Sequence, residues 1–259
     1  MNIGALTVNQ IKTFLAHREE KEIGEEILLA LAGDPRTAVR QIYTQYQKGK
    51  AAWQKELERL QELHKYETDL LQKGYRYIAG TDEVGRGPLA GPVMAAAVIL
   101  APDTFFPGLN DSKKVTPAKR EELAAQIKEK ALAWQVVSSS VEEIDRINIL
   151  QASLLAMNKA INSLSTQPEF VLVDAVTIPG MKIPQLPIIR GDSLSASIAA
   201  ASVLAKVTRD ELMRAYSKEY PEYGFEQHKG YGTAEHMEAI RSYGPCPIHR
   251  RTFLKFMQV

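Results

Sequence analysis

The spacing of apolar side chains changes character near residue 72. Upstream, apolar residues recur at the three- and four-residue spacing of helices, first at Ile11, Phe14 and Leu15 and then from about residue 36 to residue 71. Downstream, short apolar runs alternate with amphipathic stretches, which is typical of strands alternating with helices. We therefore predict a helical extension over residues 1–72 and a second domain over residues 73–259.

Turn and capping residues indicate where the long helix of the extension begins and ends. Asp34 and Pro35 predict its start, as the N-cap and the first helical residue. Gly49 is a candidate interruption, because glycine weakens a helix interior. Gly74 is the expected end.

The second domain contains five segments with strand character. The segment from 93 to 100 carries no polar residue, so it is expected to be buried on both faces. Thr116 before Pro117, and Ser140 with Glu143, have the spacing of helix N-caps. The order predicts an α/β fold, a sheet flanked by helices. The strand segments are 75–81, 93–100, 134–138, 170–173 and 187–189, and further helices are expected over 150–164, 195–216 and 233–244.

Charge and cysteine usage exclude several classes of protein. The formal net charge is +1, from 32 basic and 31 acidic residues, so a phosphate-binding surface would have to be local. The one cysteine, Cys246, excludes a disulfide within the chain and a cysteine zinc site. No segment approaches the roughly 20 apolar residues of a membrane span, and no secretion signal is visible. We expect a cytoplasmic protein.

Acidic residues follow three of the predicted strands. Asp82 and Glu83 follow the first, Asp174 ends the fourth and Asp192 follows the fifth. Taken singly, each is more often a turn former or helix cap. Brought together, they would repel one another and bind a cation or protonate. Because neighbours in a strand point to opposite faces, Asp82 and Glu83 reach one site only if the strand ends between them.

The ligand type predicts the metal. Carboxylates without nearby histidine or cysteine favour hard ions such as Mg²⁺ or Mn²⁺. A pair of such ions roughly 4 Å apart supports in-line phosphoryl transfer. The glycines of Gly85-Arg86-Gly87 would let backbone N–H groups approach a ligand, and Arg86 would clamp a phosphate. A tight hairpin loop is the alternative interpretation of this stretch.

The motifs together resemble the ribonuclease HII family, the bacterial type 2 ribonucleases H. They occur in the family's order from about residue 75 to residue 256. The matching segments are Asp82-Glu83-Val84-Gly85-Arg86-Gly87, Leu109-Asn110-Asp111-Ser112-Lys113-Lys114, Glu143-Ile144-Asp145, Asn148-Ile149, Phe170-Val171-Leu172-Val173-Asp174, Gly191-Asp192, Ala200 to Asp210, Tyr223-Gly224-Phe225, His228-Lys229-Gly230-Tyr231 and His249-Arg250-Arg251.

The resemblance implies a ribonuclease H-like mixed sheet and a Mn²⁺- or Mg²⁺-dependent endonuclease. It implies cleavage of the RNA strand of RNA–DNA hybrids, and of duplex DNA 5′ of a single ribonucleotide, leaving 5′-phosphate and 3′-hydroxyl ends. The implied metal-binding and catalytic residues are Asp82, Glu83, Asp174 and Asp192.

The resemblance also assigns residues that contact the substrate. It implies that Gly85, Arg86 and Gly87 read the 2′-hydroxyl, which distinguishes RNA from DNA. Tyr231 matches the tyrosine that stacks on the neighbouring deoxyribose. The loop separates the chain from ribonuclease HIII, which lacks its arginine. The expected partner is an RNA–DNA hybrid or a DNA duplex containing ribonucleotides, bound by a monomer without a membrane.

Other motif residues have more than one interpretation. Ser112, Lys113 and Lys114 either hold phosphates or form a helix-entry turn. Lys206 orients an acid, touches the nucleic-acid backbone or lies on the surface. His228, which stands alone in its motif, is expected to be structural or to contact phosphate rather than to bind metal. Arg250, with Arg251, either closes the substrate groove or packs a C-terminal helix.

Two further questions stay open in the sequence. The basic and aromatic residues of the extension either form an arm that touches phosphates or lie on a solvated helix face, since acidic residues are interspersed. The alternatives to the leading function are a nuclease that prefers consecutive ribonucleotides and a non-catalytic nucleic-acid-binding protein. Retention of all four acids argues against the latter, because without metal they would repel phosphate.

Overall fold

Residues 3–16 and 23–257 are described by the computed structural model, which divides the chain into two units, Met1–Arg59 and Leu60–Val259. The predicted boundary at residues 72 and 73 stays a prediction. Within the described residues, no helix has the length and apolarity needed to cross a bilayer.

The first unit is helical, with α1 at Val8–Ala16, α2 at Glu25–Ala32 and most of α3, which runs over Thr37–Leu63. Its apolar core contains the buried side chains of Ile3, Ile11, Leu31 and Val39.

The predicted cap at Asp34 is wrong in detail. The Asp34 carboxylate accepts the backbone N–H of Arg36 at 2.8 Å and pairs with the Arg36 guanidinium at 2.7 Å. The helix therefore begins two residues after Pro35, at Thr37. The same guanidinium donates to the carbonyl of Leu6 at 2.6 Å, so this turn holds the start of the chain against α3.

The predicted interruption at Gly49 is also wrong, because α3 continues through that residue. The break lies at His64, where the backbone turns before α4 at Lys65–Gln72. His64 is partly buried, and its ring packs edge-on against Phe105 with centroids 5.0 Å apart. Packing against the second unit's core, rather than a weak helix former, thus determines where the helix breaks.

Five strands within the described residues form one mixed sheet, in the order β3-β2-β1-β4-β5. The first three strands pair antiparallel, and β4 and β5 join β1 in parallel. The strands are β1 Ile78–Val84, β2 Val93–Ile99, β3 Ala133–Ser139, β4 Phe170–Asp174 and β5 Gln185–Ile188.

Helices cover both faces of the sheet, as the alternation within β2 shows. Ala96 and Val98 join the core formed with α5 (Pro117–Lys130) and α7 (Ala196–Glu219). Ala95 and Ala97 join the opposite core, formed with α6 (Val141–Asn162). The predicted two-sided burial of this strand and the predicted α/β architecture are confirmed. The remaining α-helices are α8 (Phe225–His228) and α9 (Ala234–Tyr243).

The helix predicted over 150–164 begins earlier than expected. The capping box of Ser140 and Glu143 is present and starts α6 at Val141. The helix bends at Asn148, whose φ of 67° and ψ of 165° interrupt the helical backbone. The bend divides α6 into two helical segments, and the apolar spacing in the sequence predicted only the longer segment after Asn148.

The sheet and α7 approach each other closely at Gly80 in β1. A Cβ at this position would stand 2.2 Å from the carbonyl carbon of Ser197 and 2.3 Å from the nitrogen of Ile198. Both are backbone atoms, so neither can rotate away. A side chain at Gly80 would therefore push the first turn of α7 off the sheet.

Gly80→Ala is expected to lower the free energy of unfolding by about 3 kcal/mol, through overpacking against backbone. That corresponds to a thermal midpoint lower by about 10 °C for a domain of this size. Gly49→Ala is the matched control, because nothing lies within 4 Å of its Cβ position in α3. Circular dichroism melts should show an unchanged or higher midpoint for the control. Equal midpoints for the two variants would contradict the close contact.

Candidate active site

Two of the predicted acids lie side by side on neighbouring strands. The parallel register pairs Thr81 of β1 with Val173 of β4, so Asp82 and Asp174 occupy the next position on each strand. Asp82 has the parity of Gly80, which faces α7, and its carboxylate is hydrogen-bonded to Ser202 of that helix. The register alone therefore brings these two carboxylates to the α7 face of the sheet.

Glu83 reaches the same region although the strand does not end before it. The prediction that both acids follow the first strand is wrong, because β1 extends to Val84. Pairing with β4 stops at Thr81, so the last three residues of β1 pair with β2 alone. The backbone N–H of Glu83 donates to Asp82 Oδ1 at 2.7 Å, and the charge of Asp174 acts on the Glu83 carboxylate. Because the β4 side of β1 is unpaired at Asp82 and Glu83, both carboxylates can reach the same region although the strand continues.

Asp192 is carried by a short 3-10 turn, Gly191–Ser193, between β5 and α7. The N–H of Gly191 donates to Asp174 Oδ1 at 2.7 Å, which fixes the turn to the end of β4. Arg190, just before the turn, has a left-handed backbone with φ of 58°. The backbone of Asp192 is also hydrogen-bonded to the Asp174 carboxylate, so the turn brings Asp192 next to Asp174.

A fifth carboxylate, Asp111, joins the cluster. It lies in the family-like segment 109–114 but was not predicted as a site residue. Its charge acts on both Asp174 and Asp192, and it is hydrogen-bonded to Asp192. Lys114, three residues on, lies 3.7 Å from Asp111 and donates to Ser193 Oγ at 3.0 Å. The signal was available in the sequence, since Asp111 is an acid in an irregular, motif-bearing loop.

The electrostatics of the cluster oppose its own ionisation. Burial raises the pKa of Asp82 well above its ordinary value, and the charges of Glu83 and Asp174 raise it further. Burial also raises the pKa of Glu83 and of Asp174. For Asp192, burial and then the charges of Asp111 and Asp174 raise the pKa, against the positive charge of Lys113. The clustered carboxylates therefore favour a bound cation or protonation, either of which reduces their mutual repulsion.

The donor chemistry fits a hard divalent cation. All the clustered groups are carboxylates, and Mg²⁺ and Mn²⁺ prefer oxygen ligands, keeping several waters and taking substrate phosphates. Within residues 3–16 and 23–257, no three His, Cys, Asp or Glu side chains are already arranged around a common point as metal ligands.

A fully buried arginine, Arg250, holds the Gly85-Arg86-Gly87 loop through hydrogen bonds to its backbone carbonyls. Arg250 donates to the carbonyls of Gly85 at 2.5 Å, Arg86 at 3.0 Å and Gly91 at 2.9 Å. Of the two predicted roles for Arg250, groove closure stays a prediction. Packing against the C-terminal segment is confirmed in part, because the guanidinium lies 5.1 Å from the centroid of the Phe253 ring, in a segment of short 3-10 turns rather than a longer helix.

A second buried arginine supports the other end of this segment. Arg209 of α7 donates to the carbonyls of Pro92 at 3.1 Å, Ala90 at 3.1 Å and Lys229 at 3.0 Å. Burial, with the charge of Arg209 next to it, lowers the pKa of Arg250 to about 9. Arg209 lies in the helix predicted over residues 195–216, but no local pattern predicted this role.

Tyr231 lies beside the loop and is exposed. A Cβ at Gly87 would stand 3.6 Å from Tyr231 Cε1, and 44% of the tyrosine is solvent accessible. The backbone carbonyl of Tyr231 accepts a hydrogen bond from His236 Nδ1 at 2.8 Å. The structure therefore places the predicted stacking residue next to the predicted recognition loop.

His236 belongs to a histidine cluster under Tyr231, so His228 does not stand alone. The rings of His228 and His236 stack with centroids 4.4 Å apart, and His236 Nε2 lies 3.0 Å from His249 Nε2. His236 Nδ1 donates to a carbonyl and His249 Nδ1 accepts from the N–H of Cys246, so His249 Nε2–H donates to His236. Burial lowers the pKa of His236 and of His249 to about 4, which agrees with neutral rings.

The remaining predicted substrate residues lie at different depths. Ser112 is buried, and its hydroxyl is 3.0 Å from that of Ser202. Lys113 is exposed, and its charge acts on Asp174 and Asp192. Lys206 pairs with Asp210 at 2.7 Å rather than with one of the four carboxylates.

Comparison with known proteins gives one family over both parts of the chain. The sequence profile described as Ribonuclease HII matches residues 79–256, and the profile described as Ribonuclease HII N-terminal domain matches residues 7–71. A Ribonuclease HII from Pelotomaculum thermopropionicum is 51% identical over 250 residues, which cover 96% of this chain and 93% of that one.

Solved structures share the fold. The ribonuclease H2 of Pyrococcus horikoshii superposes with a TM-score of 0.58 at 28% identity, over 68% of this chain and 93% of that one. Bst-RNase HIII in complex with Mn²⁺ superposes with a TM-score of 0.54 at 20% identity, over 65% of this chain and 63% of that one. The predicted ribonuclease H-like architecture is confirmed.

Arg250→Lys is expected to loosen the loop, because an ammonium cannot match the planar fork that reaches three carbonyls. Loss of roughly 1.4 kcal/mol of local stability would speed amide exchange about tenfold. Hydrogen exchange of the Leu89 and Gly91 amides, which donate to Gly230 and Ile248, is the measurement. Arg251→Lys, at the exposed neighbouring position, should leave exchange unchanged. Identical exchange in both variants would remove Arg250 from this role.

Proposed function

The chain belongs to the ribonuclease HII family, and we propose that it cuts duplex DNA on the 5′ side of a single embedded ribonucleotide. As a member of that family it is a ribonuclease H type endoribonuclease, which hydrolyses the RNA strand of RNA–DNA hybrids. The further proposal concerns the junction between RNA and DNA, the four acids and the metal.

The observation that carries the proposal is the orientation of the Gly85-Arg86-Gly87 loop. Its peptides are trans, so the carbonyl and the N–H of one peptide unit point in opposite directions. The carbonyls of Gly85 and Arg86 point at buried Arg250. The N–H groups of Arg86 and Gly87, which share those peptide units, therefore point away from it, as donors for a 2′-hydroxyl.

Selection for a single ribonucleotide follows from what lies beside these donors. A 2′-hydroxyl both donates and accepts, and its recognition distinguishes RNA from DNA at one position. Tyr231, next to Gly87, provides an exposed ring for the neighbouring deoxyribose. A ribose bound at the loop and a deoxyribose stacked on Tyr231 together define an RNA–DNA junction. A substrate of consecutive ribonucleotides would not need the deoxyribose contact at Tyr231.

The carboxylates of Asp82, Glu83, Asp174 and Asp192 would hold the metal, Mn²⁺ or Mg²⁺. When bound, divalent ions lower the pKa of water and neutralise charge on the reacting phosphate. Burial and mutual repulsion raise the pKa of these acids, so cation binding is coupled to their ionisation. Lys113, whose charge acts on Asp174 and Asp192, and Lys114, which donates to Ser193, would contact the phosphodiester.

The test is a duplex with one ribonucleotide, incubated with purified protein and Mn²⁺ or Mg²⁺. We expect nicking 5′ of the ribonucleotide, with 5′-phosphate and 3′-hydroxyl ends. Asp174→Asn should abolish cleavage, by about a thousandfold or more, while the fold and most duplex affinity persist, since charge stabilisation is lost but shape is kept. Full activity of that variant would remove Asp174 from the mechanism.

Substrate length separates the proposal from its nearest alternative. An enzyme that requires consecutive ribonucleotides would cut a hybrid of several ribonucleotides and leave the single-ribonucleotide duplex intact. Comparable kcat/KM on both substrates agrees with the proposed junction recognition.

We further propose that the N-terminal extension, predicted over residues 1–72, strengthens duplex binding. Lys48 and Lys55 of α3 are exposed, and Trp53 between them is 48% solvent accessible. Arg40 is instead occupied by the carbonyls of Asp34 and Pro35 at 2.9 Å, which favours a structural role for that residue.

Replacing both Lys48 and Lys55 by alanine should raise the KM for duplex and leave kcat unchanged. The slope of log K against log salt should become shallower by about one for each lost phosphate contact. Glu58→Ala, at an exposed position on α3, is the control. Substitution is preferable to truncation at residue 72, because Leu60, Leu63 and Leu70 are buried in the second unit. An unchanged salt slope would contradict the proposed arm.

A further inference from the structure

One buried carboxylate outside the acid cluster is not explained by the reaction. Glu67 of α4 is 6% exposed and lies in the second unit, beside the first turn of α7. Burying a carboxylate is unfavourable unless its oxygens are hydrogen-bonded. The two oxygens of Glu67 differ in this respect.

Oxygen Oε1 accepts three hydrogen bonds, all from the start of α7. The hydroxyl of Ser195 donates at 2.6 Å, and Ser197 donates through its N–H at 2.9 Å and its hydroxyl at 2.5 Å. Ser195 is the N-cap of that helix. A negative charge at a helix N-terminus is further stabilised by the helix dipole.

Oxygen Oε2 has no hydrogen-bond partner among the described residues. It shares this condition with His64 Nε2, and both residues line a cavity of about 220 Å³. Within the described residues, every hydrogen bond of the Glu67 carboxylate therefore comes from Ser195 or Ser197, at the start of α7. A buried polar atom without a partner lowers stability, so Oε2 adds nothing to the fold that a glutamine, which keeps one oxygen acceptor for the donors of α7, would lose.

The first turn of α7 is directly connected to the catalytic acids. The N–H of Ser195 donates to the Gly191 carbonyl at 2.8 Å, and the N–H of Gly191 donates to Asp174 at 2.7 Å. Asp192 lies in the preceding 3-10 turn, Gly191–Ser193. Displacing the start of α7 would therefore displace both acids.

The same turn also packs against the strand that carries Asp82. Ser197 backbone lies against Gly80, two residues before Asp82, and Ser202 further along α7 is hydrogen-bonded to the Asp82 carboxylate. The start of α7 thus contacts both sides of the acid cluster, the β1 side and the β4 side.

We propose that Glu67 is a positioning residue for catalysis, which fixes the first turn of α7 and so sets the spacing of Asp82, Asp174 and Asp192. This inference rests on the proposed site, since it assigns those acids to metal binding. It makes an element of the helical N-terminal region part of the catalytic apparatus.

Glu67→Gln tests the proposal, because it preserves shape and removes charge. Glu62→Gln is the matched control, at a side chain that is 77% exposed and pairs with Lys65. We expect Glu67→Gln to keep its thermal midpoint within a few degrees and to keep KM. Its kcat should fall about tenfold or more, and its affinity for Mn²⁺ should weaken by about tenfold, as when groups that orient metal ligands are changed.

Mn²⁺ affinity is measured by calorimetry with MnCl₂ alone, without nucleic acid, so this readout does not depend on cleavage. If wild type binds Mn²⁺ but cuts neither substrate, the proposed function fails while the Glu67 proposal is still tested. Glu67→Gln with the Mn²⁺ affinity and kcat of Glu62→Gln would overturn the proposal. So would losses that only match a larger unfolded fraction.

Ser197→Ala provides a second, milder variant if Glu67→Gln does not fold. It removes one of the three donors and leaves the backbone N–H in place. The same direction of change in kcat and Mn²⁺ affinity is expected, at a smaller size. In the double variant the effects should be less than additive, since both changes act on one interaction. Wild-type Mn²⁺ affinity in Ser197→Ala, or strict additivity, would contradict the proposed link.

Discussion

Two buried guanidinium groups hold the segment from Gly85 to Pro92 in place, and the loop predicted to contact the substrate depends on them. Together Arg250 and Arg209 donate six hydrogen bonds to backbone carbonyls, five of them in this segment and one at Lys229. An irregular loop has no ladder to satisfy its carbonyls, so a planar five-donor group is suited to fix it. Because the carbonyls of Gly85 and Arg86 are turned inward, the N–H groups of Arg86 and Gly87 point away from Arg250, where the proposed function uses them as donors.

Small residues in the sheet allow the helices to pack closely against it, and this close packing positions the acid cluster. Gly80 lets the first turn of α7 approach the backbone of β1, and the alanines of β2 let helices approach both faces. Close approach brings Ser202 to Asp82 and the Asp192 turn to Asp174. The acids are thus placed by backbone packing rather than by long, adaptable side chains.

The sequence predicted the sheet, its flanking helices and the acids, because strand runs, caps and motif spacing are local signals. It could not predict the strand edge that admits Glu83, since this depends on where β4 stops pairing with β1. It also missed the break at His64 and the role of Arg250. Both are determined by contacts with residues far away in the chain, Phe105 for the first and Gly85 for the second.

A net charge of +1 conceals two opposite local charges. Carboxylates whose pKa is raised by burial and mutual repulsion lie at the end of β1 and β4, and buried guanidinium groups lie under the neighbouring loop. Both sets are unfavourable to bury, and their charges are not neutralised by direct ion pairing with each other. In the proposed function, a divalent cation would relieve the repulsion among the carboxylates, and the positive charge under the loop would attract the phosphate backbone of a duplex. Substrate and metal would then both stabilise a site whose own electrostatics are unfavourable, so that binding of one would favour binding of the other.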